Sequence, residues 1–150
     1  MTPAFEGNGL LPAGEHNCSL AEARNFLCFN QHRTDLFGHF ERFLTDKIIP
    51  LQLNCPVFID GSFVRSKPLP EDVDVVIDAT ALNDDSKLCQ LLFMRFGAKH
   101  LKQEYHVDLW LKHPSVPNDL VAFFQYAGTK AAAELHVPAT HPKGILRLIP

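Results

Sequence analysis

Cysteine is sparse in this chain, and the four present, Cys18, Cys28, Cys55 and Cys89, are widely scattered with no C-x-x-C pair. That spacing argues against a disulfide framework or a zinc knuckle and predicts reduced thiols in a cytoplasmic protein. The eight histidines are scattered too, and no H-E-x-x-H occurs, so a helix-borne zinc site is not expected. The first residues lack a basic start followed by an apolar run, so no secretory signal is read. Apolar runs are short and interrupted by charges, which predicts no bilayer-spanning segment and no membrane partner. Excess positive charge is missing as well. With a formal net charge of −3 the chain is not expected to bind DNA by bulk electrostatics, although a local basic groove remains compatible with it.

A length of 150 residues and 46% hydrophobic content suit one ordinary globular domain, read as spanning 1–150 with an extended leader over about 1–17. Ser19 and Glu22 form an S-x-x-E capping box opening a helix to about Phe29. Leu36, Phe37, Phe40, Phe43 and Leu44 recur at helical spacing and predict a second helix over 32–48, its Phe stripe facing the core. Strands are predicted at 57–59, 73–77 and 105–111, and a helix over 84–96 stopped by Gly97. A short helix near 118–126 and a final edge strand at 144–148 complete the order. The fold class is α+β, a mixed sheet with helices packed on one face.

The chemistry concentrates between Phe58 and Leu111. Gly61 ends a strand and lets the backbone turn sharply, and Ser62 adds a hydroxyl and an N–H at the bend, a cradle for nucleotide phosphates. Asp72 and Asp74, two apart on a strand, project from the same side. Adjacent like charges are unfavourable unless a cation joins them, and an all-oxygen donor set suits Mg²⁺ or Mn²⁺. Asp108 lies in a third apolar strand; if that strand neighbours the Asp72–Asp74 strand, three carboxylates converge. Such a trio can hold two cations about 3.5–4 Å apart for in-line phosphoryl transfer. Arg65 and Lys67, in the intervening loop, can neutralise phosphates.

Gly-Ser, nine intervening residues, D-x-D and a later strand aspartate together resemble the polymerase-β-type nucleotidyltransferase superfamily, in its minimal form. The resemblance implies triphosphate binding at Gly61 and Ser62, metal ligation by Asp72 and Asp74, and a third catalytic carboxylate, Asp108, that helps activate the attacking hydroxyl. Over most of its length the chain is also similar to a family of small bacterial proteins in that superfamily. The segments carrying this are Leu11-Pro12-Ala13-Gly14, Asp60-Gly61-Ser62-Phe63-Val64 and Pro142-Lys143-Gly144-Ile145-Leu146. The loop after Ser62 departs from the superfamily pattern: it is one residue shorter than in many members, carries Pro68 and Pro70, and lacks a second glycine.

The resulting expectation is an enzyme that moves NMP from a nucleoside triphosphate such as ATP to a hydroxyl of a partner protein or an RNA. The resemblance implies a setting in a toxin–antitoxin or phage-defence pair. The rival expectation is a catalytically inactive module of the same fold that binds or neutralises a partner protein. An RNA-binding adaptor is disfavoured by the low basic content. Lys130 is a further candidate near the nucleotide, Trp110 and His106 share the Asp108 strand face but read as structural, and Asp60, next to the turn, is read either as lining the site or as a turn residue bonding nearby backbone.

Overall fold

The computed structural model describes residues 3–149; the first two residues of the expected leader lie outside them. Five strands form one mixed sheet: β1 (Gly14–Cys18), β2 (Val57–Asp60), β3 (Val73–Asp78), β4 (Val107–Lys112) and β5 (Gly144–Leu148), in the order β1-β5-β2-β3-β4. The β1–β5 and β3–β4 pairs are parallel, and β5–β2 and β2–β3 are antiparallel. The helices are α1 (Leu20–Leu27), α2 (Gln31–Phe43), α3 (Asp85–Phe96), α4 (Ala98–Tyr105), α5 (Leu120–Phe123) and α6 (Gly128–Leu135). The α2 axis continues through a π turn, Leu44–Ile48, into a 3₁₀ turn, Ile49–Leu51.

Local chemistry explains most boundaries. Ser19 and Glu22 make the reciprocal capping box that opens α1. Asn30 caps α2 and Asp84 caps α3, and Gly97 ends α3 as expected. Leu36, Phe37, Phe40 and Phe43 of α2 are buried against Val73, Val75, Ile77, Val107, Leu109 and Leu111 of the sheet, which is the main core. A smaller cluster forms on the opposite face, where Val121, Leu120 and Phe124 cover Phe58, Val76, Ile145 and Trp110. The fold is therefore mixed α+β, but its helices are not all on one face. The reason is that β2, β3, β4 and β5 each carry apolar residues on both sides, and the α5 segment buries the second set.

Other differences follow from packing. Residues 14–17, read as the end of the leader, form β1 together with Cys18, a polar strand held by its pairing with β5. The expected edge strand at 144–148 lies inside the sheet, between β1 and β2. Residues 98–105 are helical, so the strand expected from Tyr105 begins at Val107, after a left-handed His106. No helix among the described residues is long and apolar enough to cross a membrane.

A candidate active site on the open sheet face

Strand register assembles the site. Asp74 lies directly across from Asp108 on the parallel neighbour β4 and from Asp60 on the antiparallel neighbour β2. The alternation that puts Val73, Val75 and Ile77 into the main core sends Asp74 to the opposite face. Asp72, two residues earlier, is close enough to Asp74, as Asp108 is, to raise its pKa electrostatically. Three of the expected residues thus meet on one side of two adjoining strands, and Asp60 extends the row to β2. Asp108 itself is half-buried.

Crowding and burial set the charges. Burial, followed by the charges of Asp72 and Asp108, pushes the Asp74 carboxyl up to about 7. Asp60 is fully buried and neither carboxylate oxygen has a hydrogen-bond partner among the described residues. Desolvation pushes its pKa well above the ordinary carboxylate range, with the nearby Lys143 working against the shift. Burial also raises Asp108, with Lys102 and Arg95 working against the shift. Trp110 lies near enough to Asp74 to offset part of its shift, although its buried Nε1 makes no hydrogen bond among the described residues. Arg95 sits 4.3 Å from the Trp110 ring centre.

Lysines share the site with the carboxylates. Lys102 of α4 places Nζ 3.0 Å from Asp72 Oδ2, a contact that raises the lysine pKa. Lys143, just before β5, is 5% exposed, and burial pulls its pKa down to about 8 despite the nearby Asp60 and Asp74. Among the described residues no group of three His, Cys, Asp or Glu side chains is gathered into a cage that could hold a metal ion.

The carboxylate face opens into a cavity of about 360 Å³, within the usual range for small-molecule sites. Gly61, Ser62, Arg65, Lys67, Asp72 and Asp74 all line it, as do Lys130 and the previously unassigned Lys102 and Lys143. Phe123, Phe124 and Tyr126 form an aromatic wall from the α5 side. Asp108 sits beside Asp74 but does not line the cavity. His106 packs its ring 4.8 Å from that of His39 and is likewise absent from the lining.

The turn after β2 is a 3₁₀ segment, Gly61–Val64. Gly61 has φ +70°, and a Cβ there would overlap the Asp74 carboxylate, so both backbone angle and space demand glycine. Arg65 is almost fully buried and pairs with Glu134 of α6 at 2.7 Å, while Lys67 lies 3.7 Å from the same carboxylate. These two expected phosphate-neutralising cations therefore already share an anion supplied by the chain.

Arg33 organises this loop from behind. It is fully buried, stacked 4.3 Å from the Phe29 ring centre and 4.8 Å from that of Phe63. Its guanidinium donates to the carbonyls of Leu27, Ser62, Phe63, Arg65 and Lys67. Four of these carbonyls, of Ser62, Phe63, Arg65 and Lys67, belong to the segment after β2, so one buried guanidinium ties that segment to α2. The sequence carries a signal for this burial, since Arg33 stands in phase with Leu36, Phe37 and Phe40 on the apolar face of the helix. Lys143 had a weaker signal, a lone cation opening an apolar strand. Lys102 and Glu134 had none, since their roles depend on how α4 and α6 dock.

No curated protein and no solved structure matches the chain. A family profile matches over residues 3–149. On that coverage the chain belongs to the Family of unknown function (DUF6932).

Proposed function

We propose that the protein is a minimal, nucleotidyltransferase-like enzyme that transfers NMP from a nucleoside triphosphate to a hydroxyl on a partner protein or an RNA. The observation that carries this reading is the register of Asp74 with Asp108 on adjoining parallel strands, with Asp72 and Asp74 walling a cavity that also contains Gly61 and Ser62. The donor chemistry fits Mg²⁺ or Mn²⁺: the ligands are carboxylate oxygens, and burial together with their crowding pushes Asp74 toward protonation. Asp72 and Asp74 would hold the cation, with Lys102 giving up Asp72. When bound, it supplies charge neutralisation at the reacting phosphate.

The chain's own residues do the remaining work. Gly61 and Ser62 seat the phosphates, and Arg65 and Lys67 exchange Glu134 for phosphate oxygens. The aromatic wall of Phe123, Phe124 and Tyr126 offers a surface for the base. Asp108, outside the cavity toward the β4 edge, orients the acceptor hydroxyl and takes its proton. The hydroxyl oxygen forms a bond to the α-phosphorus as the bond to the β-phosphate oxygen breaks, and pyrophosphate leaves. Positioning and electrostatics account for most of such catalysis.

The second reading is a catalytically silent module that binds or neutralises a partner protein. It is favoured by the Lys102–Asp72 and Arg65–Glu134 pairs, which satisfy the site without a ligand. Incubation with each labelled nucleoside triphosphate, Mg²⁺ or Mn²⁺ and a cell lysate separates the two. Label on protein or RNA that disappears in the folded Asp72→Ala/Asp74→Ala variant supports the enzyme. Absence of label, with biological effect retained by that variant, supports the module.

A further inference from the structure

Lys143 is the least explained charge in the molecule. Its side chain is 5% exposed, yet it lines the cavity. Among the described residues no carboxylate lies at salt-bridge distance from its ammonium, although Asp60 and Asp74 attract it from farther off, and neither buried Asp60 oxygen has a hydrogen-bond partner. A mostly buried cation with no anion at contact distance is unfavourable, and an anion entering the cavity would satisfy it.

The position is built. The Lys143 N–H donates to Gln125 O at 2.8 Å, and the next N–H, of Gly144, donates to Leu11 O at 3.0 Å. A Cβ at Gly144 would overlap Pro12 O, so the strand start is clamped on both sides. The Lys143 Nζ lies 5.9 Å from the Phe124 ring centre, which keeps the ammonium at the cavity wall and away from bulk water. Asp60 and Asp74 attract the ammonium, but neither lies at salt-bridge distance from it among the described residues.

We propose that Lys143 is an anion-receiving residue whose ammonium takes a phosphoryl group of a polyphosphate bound in the cavity. The inference rests on the cavity being the nucleoside triphosphate site proposed above, and it names a binding residue for that site. Lys143 and Lys130 are the cavity-lining cations with no carboxylate at contact distance among the described residues, and of the two Lys143 is buried and Lys130 exposed, whereas Lys102 holds Asp72 and Arg65 and Lys67 share Glu134.

The probe is inorganic tripolyphosphate, titrated calorimetrically into the full chain without divalent metal. Lys143→Met should weaken binding about 10- to 100-fold, the worth of a charged hydrogen bond, and Lys143→Arg should recover part of it. A folded Lys143→Met variant that binds within about threefold of the natural protein overturns the proposal. A second measurement needs no variant. Tripolyphosphate should protect Lys143, but not the exposed Lys99, from amine acylation read by mass spectrometry; equal labelling of Lys143 with and without it overturns the proposal. If these tests succeed while no nucleotide label is ever transferred, the anion site stands and the transferase reading falls. If transfer is lost in Asp72→Ala/Asp74→Ala yet Lys143→Met binds normally, the reverse holds.

Discussion

The two faces of the sheet are made by alternate residues of the same strands, yet they obey different rules. On the α1–α4 side, Val73, Val75, Ile77, Val107, Leu109 and Leu111 are all but fully buried and touch apolar side chains. On the other side, the intervening positions include Asp74 and Asp108, and beside them on β2 the buried Asp60. The first face recovers hydrophobic free energy with nothing left unpaired. The second removes carboxylates from water, which is unfavourable unless a cation or a proton joins them. One strand period thus separates a face that stabilises the fold from one that stores electrostatic strain where ligands have access.

Truncating the stabilising face should give the largest effect. Leu109→Ala should lose about 2–5 kcal/mol in denaturant unfolding, the range for a buried leucine. Arg33→Met comes next and tests whether the loop behind the site is held by one guanidinium. It should cost about 3 kcal/mol, because several buried carbonyls lose their donor, and it should also weaken tripolyphosphate binding. Intact binding in a folded Arg33→Met protein would separate the loop's shape from this residue.

The open face should respond in the opposite sense. The Asp74 carboxyl is raised from 3.8 to about 7, so the folded state holds its proton more tightly than the unfolded chain. Stability from this group is complete below the unfolded value and is lost as pH rises from about 4 through about 7. Asp74→Asn should therefore reduce by about 2 kcal/mol the stability that the natural protein loses between pH 5 and pH 8. Bound Mg²⁺ or Mn²⁺ should restore stability at pH 8 in the natural protein and not in Asp72→Ala/Asp74→Ala, read as a rise in Tm. The smallest effect belongs to Asp108→Asn. Its carboxyl is raised by burial in the same direction but is half-exposed, so the gain at pH 8 should be smaller than at Asp74. A larger gain there than at Asp74 would reverse the assigned order of crowding.

Elements with their own signals were legible before any coordinates. The Ser19–Glu22 capping box, the Phe stripe of α2 and the apolar runs of β2 and β3 report local preference plus periodic burial. The elements that escaped notice lack such signals. In β1, Gly-Glu-His-Asn-Cys is polar and becomes a strand because β5 offers a partner edge. In α4, Leu101 and Tyr105 are the buried residues, and Tyr105 fell into false alternation with Val107 and Leu109. In α6, Ala131 is the one buried residue among those described, too little for a face. The same division runs through the site: Gly61, Ser62, Asp72 and Asp74 stand out in the chain, whereas Lys102, Glu134 and Lys143 do not.

By itself, then, the sequence determined which residues alternate, where helices begin and which carboxylates sit in apolar strands, because these depend on neighbours a few positions away. The tertiary structure decided that Asp60, Asp74 and Asp108 fall in one row, that Asp108 stays outside the cavity, and that Lys143 is buried beside it. Those facts depend on strand order and register, which are set by contacts between segments distant along the chain.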